Sequence, residues 1–193
     1  MSTRGLLDLL ARVASVLDDL EIPYALGGSV ASSFFGEPRA TADIDVAVQM
    51  DSRSGEAFLA RVQPEFYVPM NSARAALESC SSFNLLDAES GLKVDLFVLG
   101  DGLLDRRQIE RRVPISLSGS GAPLWVTSPE DQILRKLEWF RAGGEASDRQ
   151  WRDIVGLILV RADNLDVDDL RRTADEVGLA ALLDRALGDV RLS

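Results

Sequence analysis

Four residues carry the clearest chemical pattern in this chain: Gly28 and Ser29, in a Gly-Gly-Ser turn, and Asp43 and Asp45, which flank a single isoleucine in ADIDVAV. If Ile44, Val46 and Val48 form the buried side of a strand, Asp43 and Asp45 both point to the other side, because strand side chains alternate. The same alternation in GLKVDLFVL puts Leu92, Val94, Leu96 and Val98 on one face and Lys93, Asp95 and Phe97 on the other. Three carboxylates facing one way repel one another unless a cation joins them. A Gly-Ser turn that opens a helix offers unpaired N–H groups to phosphate. Together these residues describe a cradle for a hard divalent cation and a phosphate-bearing ligand.

The rest of the composition narrows the chemistry. The chain contains no histidine, so Ser-His-Asp and Cys-His catalysis and histidine zinc sites are excluded. Cys80 is the only cysteine, which rules out an intrachain disulfide and leaves oxygen-loving metals such as magnesium. No apolar stretch approaches the roughly 20 residues of a membrane span, and MSTRGLLDLLARVASVLDDL lacks the apolar block of an export signal. The expected setting is the cytoplasm. A net charge of −10 argues against broad nucleic-acid binding. The densest positive cluster is Arg106, Arg107, Arg111 and Arg112, read either as a solvated helix face or as a local basic strip.

These residues need elements to position them. Leu6, Leu9, Leu10, Val13, Val16, Leu17 and Leu20 recur at helical steps, giving a helix over 4–20 that Pro23 ends. A short strand over 24–26 follows, then a helix capped by Ser29 that ends near Gly36 and Pro38, then a strand over 42–48. Helices over 55–62 and 72–80 precede a hairpin of strands 82–86 and 92–99. The segment VPISLSGSGAPLWVTS reads as strand or loop, and helices over 129–142, 148–160 and 167–188 complete the chain. The fold class is α+β: a small mixed sheet with helices on one face over 1–125, and a helical appendage over 126–193 expected to pack on it. An EF-hand is excluded because the sixth loop position of DIDVAVQMDSR is valine, and Gly27-Gly28-Ser29 lacks the dinucleotide G-x-G-x-x-G pattern.

The Gly28–Ser29 turn, the short helix, Asp43 and Asp45 and the later Asp95 resemble the DNA polymerase β-like nucleotidyltransferase superfamily. The second half, SPEDQILRKLEWFRAGGEASDRQWRDIVGLI, looks like bacterial nucleotidyltransferases related to abortive-infection and type IV toxin proteins. The resemblance implies transfer of NMP from an NTP to a hydroxyl acceptor, either an RNA end such as tRNA or a small molecule. It implies two magnesium ions, or manganese in their place, held by Asp43, Asp45 and Asp95, with Asp95 also the base. Gly28 and Ser29 would take the β- and γ-phosphates. In the toxin-like relatives an antitoxin-like protein partner is the further implication.

Two residues are carried over with alternatives open. Lys136 shares its helix side with Ile133, Leu137 and Phe140, and is either a lysine snorkelling to water or, by resemblance, a catalytic contact to the nucleotide phosphates. Asp153 matches a later catalytic acid of the relatives and faces either the cleft or solvent. Trp139 and Trp151 are read as packing anchors, and Arg39 and Thr41 as residues within reach of substrate. The reading from a different class is a nucleotide- or partner-binding module without turnover.

Overall fold

The computed structural model describes residues 3–35, 43–116 and 122–191. Gly36, Pro38, Arg39 and Thr41 lie outside them. The chain divides into two compact units, one of residues 1–30 and 40–127, the other of 31–39 and 128–193.

The first unit is built on a sheet of seven strands: β1 (Tyr24–Leu26), β2 (Asp43–Val48), β3 (Phe66–Tyr67), β4 (Ser82–Asp87), β5 (Lys93–Val98), β6 (Val113–Ile115) and β7 (Leu124–Val126). Their order is β3-β4-β5-β2-β1-β7-β6. The β2–β5 and β1–β7 pairs are parallel and the remaining neighbours antiparallel, so the sheet is mixed. The segment expected as strand or loop resolves on its described part into β6 and β7. Pro114 is tolerated in β6 because that strand lies on the sheet edge, where its missing N–H leaves no neighbour unpaired.

Helices α1 (Thr3–Asp19), α3 (Ser52–Val62), α4 (Met70–Ser79) and α5 (Leu103–Glu110) also belong to this unit. In α1 the periodic residues Leu9, Leu10, Val13 and Leu17 are at most 2 % exposed. Each contributes about 1.5–3 kcal/mol over leaving it in water. Helix α3 starts before the expected Gly55 because Asp51 and Ser54 form a reciprocal capping box, which ties down two N–H groups at its first turn. Strands β2 and β5 show the expected alternation: Ile44, Val46, Val94, Leu96 and Val98 are buried, while Asp45, Lys93 and Asp95 are half-buried and Asp43 is exposed.

Helix α2 (Gly28–Phe35) begins in the first unit, one residue before the expected Ser29 cap, and its later residues belong to the second. The second unit otherwise holds α6 (Pro129–Ala142), α7 (Asp148–Arg161), α8 (Val167–Glu176) and α9 (Ala180–Arg191). Helix α6 starts as its Ser-Pro-Glu signal requires, with Ser128 Oγ accepting from the Asp131 N–H. The single helix expected over 167–188 is in fact two. Gly178 adopts φ +70°, a left-handed backbone that ends α8 and lets the chain turn into α9.

Candidate active site

The parallel pairing of β2 with β5 sets the three aspartates on one face. In its register Asp43 lies opposite Lys93 and Asp45 opposite Asp95. On the far side of β5, Asn84 of β4 lies opposite Asp95. Residues opposite each other in a sheet share a face, so Asp45, Asp95 and Asn84 form one row and Asp43 and Lys93 the next.

Gly28 joins this face from the end of β1. Its backbone is left-handed, with φ +58°, and a Cβ built on it would lie 1.7 Å from Asp45 Oδ2 and 2.6 Å from Asp45 Cγ. Only glycine fits there, on both counts. The neighbouring Gly27 N–H donates to the Asp45 carbonyl at 2.9 Å, fixing the turn to the acid-bearing strand. Ser29 follows in the first turn of α2, where the positive end of the helix dipole favours an anion.

Lys93 is the residue that reading the sequence for roles missed. Its Nζ lies 2.8 Å from Asp95 Oδ2, with the two side chains 40 % and 21 % exposed. The hydrogen bond that Lys93 donates to Asp95 raises its ammonium above the ordinary range, partial burial works against it, and the charges of Asp95, Asp43 and Asp45 raise it further. A lysine two residues before an acid in an alternating strand was the available signal, since that spacing puts both on one face.

Carboxylate oxygens are the donors that hard divalent cations select, so the residue types on this face fit magnesium or manganese. Among the described residues, Lys93 brings a positive charge to this face. Among the described residues, no group of three or more His, Cys, Asp or Glu is drawn together closely enough to hold a metal ion.

The structure places the other two site residues in the second unit. Lys136 Nζ lies 3.8 Å from Asp153 Oδ2, and the lysine side chain is only 13 % exposed. It therefore does not snorkel into water but is largely covered and faces an acid on the next helix. Trp151 is a packing anchor: its ring is 5.0 Å from Phe140, its Nε1 donates to Asp189 at 2.8 Å, and Arg185 stacks on it at 4.2 Å. Trp139, by contrast, is 39 % exposed and does not anchor the core. In the arginine cluster Arg112 donates to the Ile109 carbonyl and stacks on Trp125 at 4.7 Å, while Arg106 donates to the Asp101 carbonyl. These two arginines tie down the ends of α5.

No protein-family model matches the chain, and no curated protein sequence matches it. Solved structures do. The antibiotic-resistance factor ANT(2'')-Ia superposes with a TM-score of 0.57 at 17 % identity, covering 95 % of this chain and 98 % of that one. An antigenic nucleotidyltransferase-like protein of Paracoccidioides brasiliensis gives 0.55 at 20 % identity, covering 97 % and 94 %. A protein of Thermotoga maritima assigned to the nucleotidyltransferases gives 0.52 at 14 % identity, covering 78 % and 94 %. The chain thus has the α+β nucleotidyltransferase fold.

Proposed function

We propose that this protein is a nucleotidyltransferase that moves NMP from an NTP to a hydroxyl, with its catalytic core in residues 1–125. The observation that carries the reading is the convergence of Gly28, Asp45 and Asp95: a left-handed glycine at a helix start, packed against one carboxylate that lies in register with another. In the reaction an acceptor oxygen bonds to the α-phosphorus as the bond to the bridging oxygen breaks, and pyrophosphate leaves.

Gly28, Ser29 and the first turn of α2 hold and orient the phosphates through N–H groups and a hydroxyl. Asp43, Asp45 and Asp95 would hold two magnesium or manganese ions, and Asp95 would accept the acceptor's proton. When bound, the ions supply the positive charge that favours the alkoxide and the leaving pyrophosphate. Lys136, kept from water beside Asp153, contributes a phosphate contact in this reading, by resemblance to the family.

The acceptor is a small molecule or an RNA end. The acidic balance of the chain, −10 overall, favours the small molecule, since phosphate-rich RNA calls for positive surface. Likeness to an antibiotic-resistance factor supports the same choice. A cytoplasmic setting, a toxin-like role and an antitoxin-like partner extend the reading. No helix among the described residues is long and apolar enough to cross a membrane.

The Lys93–Asp95 ion pair is the one observation that favours the alternative, a binding module without turnover. One experiment separates the two. Incubate the protein with magnesium and each α-labelled NTP, with total tRNA, small hydroxyl compounds or no acceptor. Label transfer that disappears in Asp43→Ala and Asp45→Ala supports the enzyme. Metal-independent nucleotide binding without transfer supports the module.

A further inference from the structure

We propose that the Lys93 ammonium is a displaceable counterion, which neutralises Asp95 in the metal-free protein and competes with a divalent cation for that carboxylate. This rests on the reading of Asp43, Asp45 and Asp95 as the metal-holding set.

Three features of the geometry support it. Lys93 leaves β5 on the acid face, directly opposite Asp43 and two residues before Asp95. Its ammonium lies 2.8 Å from Asp95 Oδ2, the distance of a charge-assisted hydrogen bond. The side chain is also 40 % exposed, so a route into water is open without any change in the backbone.

A lysine suits this role better than an arginine. Its charge is compact, and its four-carbon stem swings freely, where a guanidinium would clamp a carboxylate with two parallel bonds. A cation reaching Asp95 while Lys93 remained would meet a like charge at close range, so the two compete. The arrangement lets the sheet assemble three carboxylates before any metal arrives, at the cost of weaker metal binding afterwards.

The test measures metal binding and needs no turnover. Manganese affinity is determined by calorimetry and by counting free Mn2+ in electron paramagnetic resonance, for the full chain and for Lys93→Met, Lys93→Arg and Asp45→Asn. Lys93→Met keeps the stem and removes the charge, and is expected to bind Mn2+ tighter by on the order of tenfold. Lys93→Arg is expected to bind no more tightly than the unsubstituted chain.

A second readout covers the case in which Lys93→Met fails to fold. Lys93 and Lys136 are the only lysines in the chain, so 13C-dimethylation yields two side-chain resonances besides that of the α-amine, and the modified amines keep their charge. Titration with magnesium is expected to move the Lys93 resonance as its ammonium leaves Asp95. Manganese binding that is lost in Asp45→Asn but indifferent to Lys93, or a Lys93 resonance that stays still at saturation, overturns this proposal and leaves the functional reading standing. Absence of site-specific binding in every variant overturns both.

Discussion

Gly28 packs against Asp45 at the end of the sheet so closely that a Cβ on the glycine would lie 1.7 Å from the aspartate's Oδ2. The phosphate-facing turn and the acid strand are therefore one piece of structure. Neither can shift without the other.

Gly28→Ala forces Asp45 from its position and also strains a left-handed backbone by about 1–2 kcal/mol. The expected result is loss of nucleotidyl transfer with a thermal midpoint lowered by only a few degrees. Calorimetry and the label-transfer assay together read both. Full activity in Gly28→Ala would disconnect the turn from the site.

Asp45→Asn keeps the shape of the side chain and removes one of three like charges. Transfer should fall by at least about a hundredfold. The metal-free protein should at the same time be as stable as before or slightly more so, since the repulsion is relieved. A large fall in melting temperature would assign Asp45 a structural role instead.

Asp87 sets an acid limit on stability. The Ser90 hydroxyl holds its carboxyl below the ordinary range, burial works against this, and the Ser90 N–H and the Arg12 guanidinium lower it further. The bonds are 2.5 Å and 2.8 Å from Ser90 and 3.1 Å from Arg12. A depressed carboxyl stabilises the fold above its unfolded value and loses that contribution as pH falls through the native one. Asp87→Asn should therefore cost about 1–3 kcal/mol at pH 7. The gap should shrink below about pH 4, as urea unfolding at several pH values would show.

Lys136→Met removes the charge that faces Asp153 at 3.8 Å. If the lysine contacts phosphate, kcat/KM for the NTP should drop at least about tenfold, the value of one charged hydrogen bond. An unchanged kcat/KM with a lowered melting temperature would make the pair structural.

Gly178→Ala tests the break between α8 and α9. With φ at +70° the substitution should destabilise the protein by about 1–2 kcal/mol while leaving metal binding at the aspartates intact. A neutral effect would mean that the turn relaxes.

The aspartate face is legible in the sequence because alternation in a strand is strict: once Ile44 and Val94 are inside, Asp43, Asp45 and Asp95 must share the other side. What alternation does not contain is the rotamer. It put Lys93 beside Asp95 without saying that its ammonium would turn to that carboxylate. The three-residue strands β6 and β7 are too short to show a period, and only the partners that flank them define them. The apolar pattern of α8 and α9 runs on past Gly178, which hid the break. Lys136 and Asp153 meet through the packing of two helices, α6 and α7, and nothing local in either segment records it.

Strands β2 and β5 lie inside the sheet with a neighbour on each side, while its margins taper to the two-residue β3 and the proline-bearing β6. Amide protons on strands so placed exchange with solvent only when the whole sheet opens, whereas those at the margins exchange by fraying. The carboxylates thus ride on strands set back from both edges, where fraying of β3 or β6 leaves their register untouched.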